Sequence, residues 1–458
     1  MRASASSTPT GRQPNLLVIL TDQQHSQMMS CAGNPWVKTP AMDSLAAGGT
    51  RFTRAYCANP VCVPSRFTLF TGQMPSVIGM WGNQKPVTEL TAETFEREGI
   101  GWKLREAGYE TAYGGKVHIP LRIRPEGLGF ENITADEREG LAQVSADYLR
   151  ERADQDQPFC LVTSFINPHD ICYMAIRDFA TSDMDHRLVE KGVKELAALD
   201  EALQLPEGMS EETFFDQVCP PLPANYEPQE DEPEAIQDLV QLREFRAKAR
   251  AQYTDRQWRM HRWAYARLTE RVDAQIGQVL EALHESGQAD NTVVIFTSDH
   301  GDHDASHRME HKDCAYEEAS AVPLLVRHPG KTPAGHIESA LVSNGLDLIP
   351  TLCDYAGIEK PANLKGASFR SLAEAEPDAV RREALIGESQ VGRMVVTERY
   401  KYVMHHHGER AEQLYDLKKD PGETRNFAHD SDQQAALNRH RALFAERFPE
   451  PGPATLPS

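Results

Sequence analysis

The sequence predicts an α/β protein: a large, mostly parallel sheet with helices on both faces, then a smaller α+β C-terminal domain with a short antiparallel sheet. Three observations lead there. Four near-continuous apolar runs of strand length each end in a polar cluster, helical patterns lie between them, and after about residue 365 short alternating strands take over. Continuous apolar runs mark strands covered on both faces, as in a parallel sheet. There is no internal repeat.

Taken in order, the first run, Leu16-Leu17-Val18-Ile19-Leu20, leads into Thr21-Asp22-Gln23-Gln24-His25. Thr39-Pro40 is a good helix start and Gly48-Gly49 a good stop. A second helix is expected to start at Cys62 and stop at Gly72, because Pro64 suits a first turn and Gly72 a C-terminal cap. Cys62 then lies at a helix N-terminus, where free N–H groups favour anions. Tyr109 to Tyr113 leads into Gly114-Gly115-Lys116-Val117-His118, and Phe159 to Phe165 into Asn167-Pro168-His169-Asp170.

From Asn225 to Leu242 there are six carboxylates and no base, with prolines at 220, 221, 223, 228 and 233 around them. That composition reads as a surface insertion or lid, spanning about 175–255. Between Arg256 and His284, Tyr265, Leu268, Val272, Ile276, Val279, Leu280 and Leu283 recur mostly at three- and four-residue steps, an amphipathic helix. The last run, Thr292 to Phe296, ends in Ser298-Asp299-His300-Gly301-Asp302. The predicted organisation is a flexible tail over 1–13, a large domain over 14–365 and a C-terminal domain over 366–458. In the last, segments at 384–386, 393–397 and 400–404 read as antiparallel strands before a terminal helix near 433–447.

Ligands of open α/β sheets bind outside the carboxyl ends of the strands. All four polar clusters fall on that side, so one site assembled from distant segments is expected. Asp22, Asp299 and His300, with Gln23 adjacent, offer oxygen ligands and one imidazole, a set suited to a hard or borderline divalent cation. Taken singly, each acid reads as a helix cap or solvated loop residue, and Cys62 as a buried structural thiol.

A formal charge of −20 argues against nucleic acid or an anionic membrane as partner. Eight cysteines without a C-x-x-C pair indicate neither a zinc module nor a disulfide framework. No run reaches the roughly 18 apolar residues of a membrane span. Met1 to Gln13 has no apolar core, so no intact secretory signal is read there. This favours the cytoplasm, or the periplasm or secretion if the N-terminus has been trimmed.

The joint pattern is more specific than its parts. Thr21-Asp22-Gln23, Cys62-x-Pro-Ser-Arg66, Gly115-Lys116-x-His118, Pro168-His169, Ser298-Asp299-His300-Gly301-Asp302, Lys312, Tyr316-Glu317-Glu318-Ala319-Ser320, Leu414-Tyr415-Asp416-Leu417 and Asp420-Pro421-x-Glu423 occur in one order. That order, from Asn15 to Phe427, resembles the type I sulfatases of the alkaline phosphatase superfamily. The resemblance implies that a maturation enzyme converts Cys62 to formylglycine, the precursor of the nucleophile. It also implies one divalent metal, most often Ca2+ with Mn2+ or Mg2+ as alternatives, held by Asp22, Gln23, Cys62, Asp299 and His300. Many members have Asp where this chain has Gln23, and a smaller residue than Val63 after the cysteine.

By the same resemblance, Arg66, Lys116 and Lys312 gather positive charge around the sulfuryl oxygens. His169 protonates the leaving alcohol and His118 assists release of sulfate. Asn83 and Trp81 are candidate contacts to the sugar, and His303 and Arg308, with His307 and His311, candidate lining of the pocket mouth. His405-His406-His407 is a turn equally suited to solvent. The expected activity is hydrolysis of a sulfate monoester, on a sulfated saccharide. Two alternatives stay open: a phosphonate monoester or phosphodiester hydrolase of the same superfamily, and a non-catalytic binder of sulfated glycans. Lys116-x-His118 favours the sulfatase, because the resembling phosphonate hydrolases use hydroxyl side chains there. The sugar, the sulfated position, exo or endo action and the oligomeric state are left open.

Overall fold

The computed structural model describes residues 12–450; the predicted tail lies outside them up to residue 11. The strands are β1 (Asn15–Asp22), β2 (Thr50–Phe52), β3 (Ala55–Tyr56), β4 (Glu110–Gly115), β5 (Glu131–Thr134), β6 (Phe159–Pro168) and β7 (Thr292–Ser298). They continue with β8 (Leu324–Arg327), β9 (His336–Glu338), β10 (Val342–Ser343), β11 (Ala384–Glu388), β12 (Gly392–Thr397), β13 (Tyr400–His405) and β14 (Glu412–Asp416). Eight form one sheet in the order β5-β4-β6-β1-β7-β8-β2-β9. The four apolar runs are thus its adjacent central strands. Neighbours from β5 to β7 are parallel, whereas β8 runs antiparallel to both β7 and β2.

Strand alternation divides β1 between two cores. Leu16, Val18 and Leu20 pack with Phe67, Phe70, Leu348 and Ile349 on one face. Leu17 and Ile19 pack with Leu141, Val272, Ile276 and Val279 on the other. Fully burying such a side chain contributes about 1.5–3 kcal/mol, so both faces hold the strand in register. The second face is covered by the long helix Asp255–Glu285, opened by a capping box between Thr254 and Gln257. The first is covered by Cys62–Thr71 and Asn344–Ala356.

The region read as a surface insertion contains six helices, from Tyr173–Phe179 to Glu244–Gln252. It is more than a surface element. Ile176, Leu199, Phe245 and Tyr253 share a core with Trp258, Tyr265 and Leu268 of the long helix. Within the acidic stretch, Glu234–Gln241 buries Ala235, Ile236, Leu239 and Val240 against Met309, Tyr316 and Tyr415. The carboxylates had masked this apolar helical face. Glu232 is buried among them, held by both guanidinium nitrogens of Arg250 at 3.0 and 2.6 Å.

The C-terminal sheet is antiparallel in the order β11-β12-β13-β14, with helix Gln434–Arg447 packed on Tyr402 and Leu414. Buried Lys401 on β13 reaches back to Glu317 at 2.8 Å and Glu423 at 2.7 Å, tying this sheet to the large one. No helix among the described residues is long and apolar enough to cross a membrane.

Candidate active site

The carboxyl ends of the four central strands converge on the N-terminus of Cys62–Thr71. Register places them together: Thr21 pairs with Ser298, Asp22 with Pro168, and Gly115 with Ser164. The helix starts after extended Val61 and stops at Gly72, whose φ of 66° suits glycine. The Val63 N–H donates to Asn83 Oδ1 at 3.1 Å, which draws the Trp81–Asn83 loop beside Cys62.

Ligand atoms of Asp22, Cys62, Asp299 and His300 all lie within 4.8 Å of one another, and all four residues are buried. Cys62 Sγ is 3.1 Å from His300 Nε2 and 3.7 Å from Asp22 Oδ1. His300 Nδ1 lies 2.8 Å from the Gly301 carbonyl, which leaves Nε2 for the cluster. Two carboxylates, one imidazole and one position for a modified side chain fit a single divalent cation. Burial and the neighbouring Asp22 charge push Asp299 up, against His300 and Arg66. For Asp22, burial is outweighed by Lys116, His169 and Arg66, and its carboxyl is held well below the usual range.

The surroundings are cationic. Lys116 Nζ sits 2.6 Å from Asp22 Oδ2, and Lys312 Nζ contacts Gln23 Oε1 and lies 3.7 Å from Cys172 Sγ. Burial and Asp22 push the Cys62 thiol up, yet Lys312, Lys116 and His300 together bring it well below its ordinary value. An anion at position 62 is therefore stabilised by this pocket. His169 follows β6 and is half-buried, with Nδ1 unpartnered; burial, Lys116 and Lys312 lower its pKa. His118 is exposed, at a φ of 45° two residues after Lys116.

Several expected residues take other places. Arg66 is wholly buried and faces no open space. Its Nε donates to Asp299 at 2.8 Å, Nη2 to Asp22 at 3.0 Å, and Nη1 to Ser164 Oγ at 2.8 Å and the Lys116 carbonyl at 2.9 Å. It clamps the carboxylates instead of meeting sulfuryl oxygens. The Gln23 oxygen, expected on the metal, accepts from Cys172 Sγ at 3.0 Å as well as from Lys312.

Of the loop after Asp302, His303 lines no pocket mouth, whereas Arg308 lines a cavity together with Lys312. The loop folds back on itself, His303 N–H to His311 carbonyl at 2.8 Å, with Asp304, Ala305, His307 and Arg308 all at positive φ. His303 is buried near Cys314 and Tyr316, His307 stacks on Tyr316 at 4.0 Å, and Arg308 turns outward to Glu227 at 2.8 Å. Buried Asp302 and Asp304, paired with His261 and Arg262, pull the loop inward. His406 lies edge-on to Trp81 at 5.0 Å, and the Arg393 guanidinium lies over the Trp81 ring at 4.7 Å. Sequence reasoning also missed Cys172, which carries no pattern, and a role for Asp302, which sits inside a block it had singled out.

Comparison with known proteins gives this arrangement a family. The profile described as Sulfatase matches residues 14–358, and that of the N-sulphoglucosamine sulphohydrolase C-terminal region matches 305–446. The chain is 29% identical over 460 residues to a Delta 4,5-hexuronate-2-O-sulfatase of Bacteroides thetaiotaomicron, covering 94% of this chain and 88% of that one. It is 27% identical over 476 residues to an N-acetylglucosamine-6-O-sulfatase of the same organism, covering 91% and 83%. Among solved structures, a 2-O GAG sulfatase superposes with a TM-score of 0.78 at 27% identity, over 95% of this chain and 92% of that chain. Because the family match runs through every strand end that builds the cluster, this chain belongs to the sulfatase family of the alkaline phosphatase superfamily and is a sulfuric ester hydrolase.

Proposed function

We propose that the chain hydrolyses a sulfate monoester on a saccharide, with Cys62 matured to formylglycine and one divalent cation, Ca2+ first among candidates, at the four-donor cluster. The observation that carries this is the cluster itself, buried at the sheet edge between Lys116 and Lys312. Asp22, Asp299, His300 and residue 62 would hold the cation, with the Gln23 oxygen as a fifth candidate. When bound, the cation supplies Lewis acidity, and formylglycine an acidified hydroxyl as nucleophile. The saccharide assignment rests on the two relatives named for sugar sulfates. Maturation would require a formylglycine-generating enzyme as partner.

The chain's own residues then divide the work. Lys116 and Lys312 neutralise the sulfuryl oxygens in a buried site, where charge stabilisation is strongest. Arg66 keeps Asp22 and Asp299 in place. His169 gives a proton to the departing alcohol oxygen. His118, at the rim, takes the proton whose loss accompanies sulfate release. Trp81 and Asn83 lie on the side from which the sugar would approach.

The test is a panel of defined sulfated mono- and disaccharides, beside an aryl sulfate and a phosphonate monoester, on protein whose residue 62 has been mapped by peptide mass. The reading expects kcat/KM to be highest for a sulfated sugar. Preference for the phosphonate, or binding of sulfated sugars without turnover by fully matured protein, would overturn it. Within that panel, His169→Ala is expected to slow the sugar ester by about 10²–10⁴-fold. The activated aryl sulfate, which departs without proton assistance, should change far less. Equal losses on both would assign His169 to binding or folding.

A further inference from the structure

We propose that Asp302 is a positioning residue that fixes the Gln23 carboxamide in one orientation, its oxygen toward Lys312 and its nitrogen away. The inference rests on the reading of the four-donor cluster as a cation site with Gln23 beside it. Gln23 is fully buried at the end of β1 with a φ of 70°. Its backbone is pinned on both sides: the N–H donates to Asp299 Oδ1 at 3.1 Å, and the carbonyl accepts from Tyr265 Oη at 2.5 Å. Only the side-chain amide has two choices.

An amide has a donor end and an acceptor end of the same shape. Here Nε2 donates to Asp302 Oδ2 at 2.6 Å, while Oε1 accepts from Cys172 at 3.0 Å and from Lys312. Turned over, the NH2 would face the lysine ammonium and the oxygen would face the carboxylate. Both contacts would be repulsive in a buried, weakly screened setting. Asp302 is itself held, Oδ1 accepting from the Asp304 N–H at 2.7 Å and lying 3.4 Å from His261 Nε2 on the long helix. An aspartate at position 23 presents oxygen whichever way it turns. A glutamine needs a fixed acceptor behind it, and Asp302 is that acceptor.

The test uses full-length protein with unmodified Cys62, titrated with calcium alone and followed by thermal shift and calorimetry. Asp302→Asn, which offers the amide a donor as readily as an acceptor, is expected to weaken calcium binding about 10–100-fold, the usual range for such supporting groups. The swap Gln23→Glu/Asp302→Asn reverses the hydrogen bond at unchanged net charge, and is expected to recover binding to near the wild-type level. In matured protein the same order should appear in KM for a sulfate ester. Full calcium binding by Asp302→Asn, or a double variant as weak as the single, overturns the role of Asp302. If both variants fail to fold, Asp302 serves folding alone and the inference is likewise overturned. If Asp302→Asn fails to fold while the double variant folds and binds calcium, the pairing is supported. A wild-type protein with unmodified Cys62 that does not respond to calcium overturns this inference, while the cation reading itself stands or falls on matured protein.

Discussion

Cys62→Ala is expected to lower sulfatase activity by about 10⁵–10⁶-fold while leaving the fold intact, the scale seen when a nucleophile is removed from a preorganised site. The thiol is buried, yet its surroundings are built for an anion: Lys312, Lys116 and His300 outweigh both burial and Asp22. Alanine keeps the helix N-terminus, because the first turn is held by Val61, Asn83 and Pro64 rather than by the sulfur. Loss of structure is therefore not expected, and circular dichroism should match wild type. The companion measurement is a peptide map across residue 62 in preparations made with and without a maturation enzyme. Activity should rise in proportion to the aldehyde content. Full turnover by protein carrying only the thiol would remove formylglycine from the account.

How much of this could be read in the sequence differs between backbone and side chains. The four central strands were legible because burial on both faces leaves near-continuous apolar runs, as in Leu16 to Leu20. The short strands β2, β3, β8, β9 and β10 were not, since two to four residues give no period to detect. The meeting of Asp22, Asp299 and His300 was legible because they lie at the ends of long strands, and a parallel sheet brings such ends together. What side chains do there was less so. Arg66 was placed near the sulfate by the family resemblance, whereas in the folded chain its donors are spent on Asp299, Asp22, Ser164 and the Lys116 carbonyl. His303 failed for a related reason. Nearness in sequence to Lys312 does not fix direction in a loop that passes repeatedly through positive φ. Glu234–Gln241 was hidden by composition, its four buried apolar residues lying among carboxylates that stay outside.

Arg66→Met is expected to destabilise the protein by about 3–5 kcal/mol, the cost of leaving buried charges without their partner. The guanidinium is 0% exposed and joins Asp22 to Asp299. Methionine fills part of the volume but leaves those carboxylates facing one another, with Lys116 and His300 the nearest compensation. Burial and Asp22 already push Asp299 up, against His300 and Arg66, so losing Arg66 raises it further. A calcium ion bound at the cluster, as proposed, would supply positive charge in the same place. The variant's Tm should accordingly fall steeply in a chelator and recover in part when calcium is added, by more than wild type gains. Arg66→Lys, which keeps the charge but cannot make the forked contacts, should fall between the two. An unchanged Tm in chelator would show that Asp22 and Asp299 do not depend on Arg66. A deficit that calcium leaves untouched would place the loss in packing around Ser164 and β4, away from the carboxylate pair.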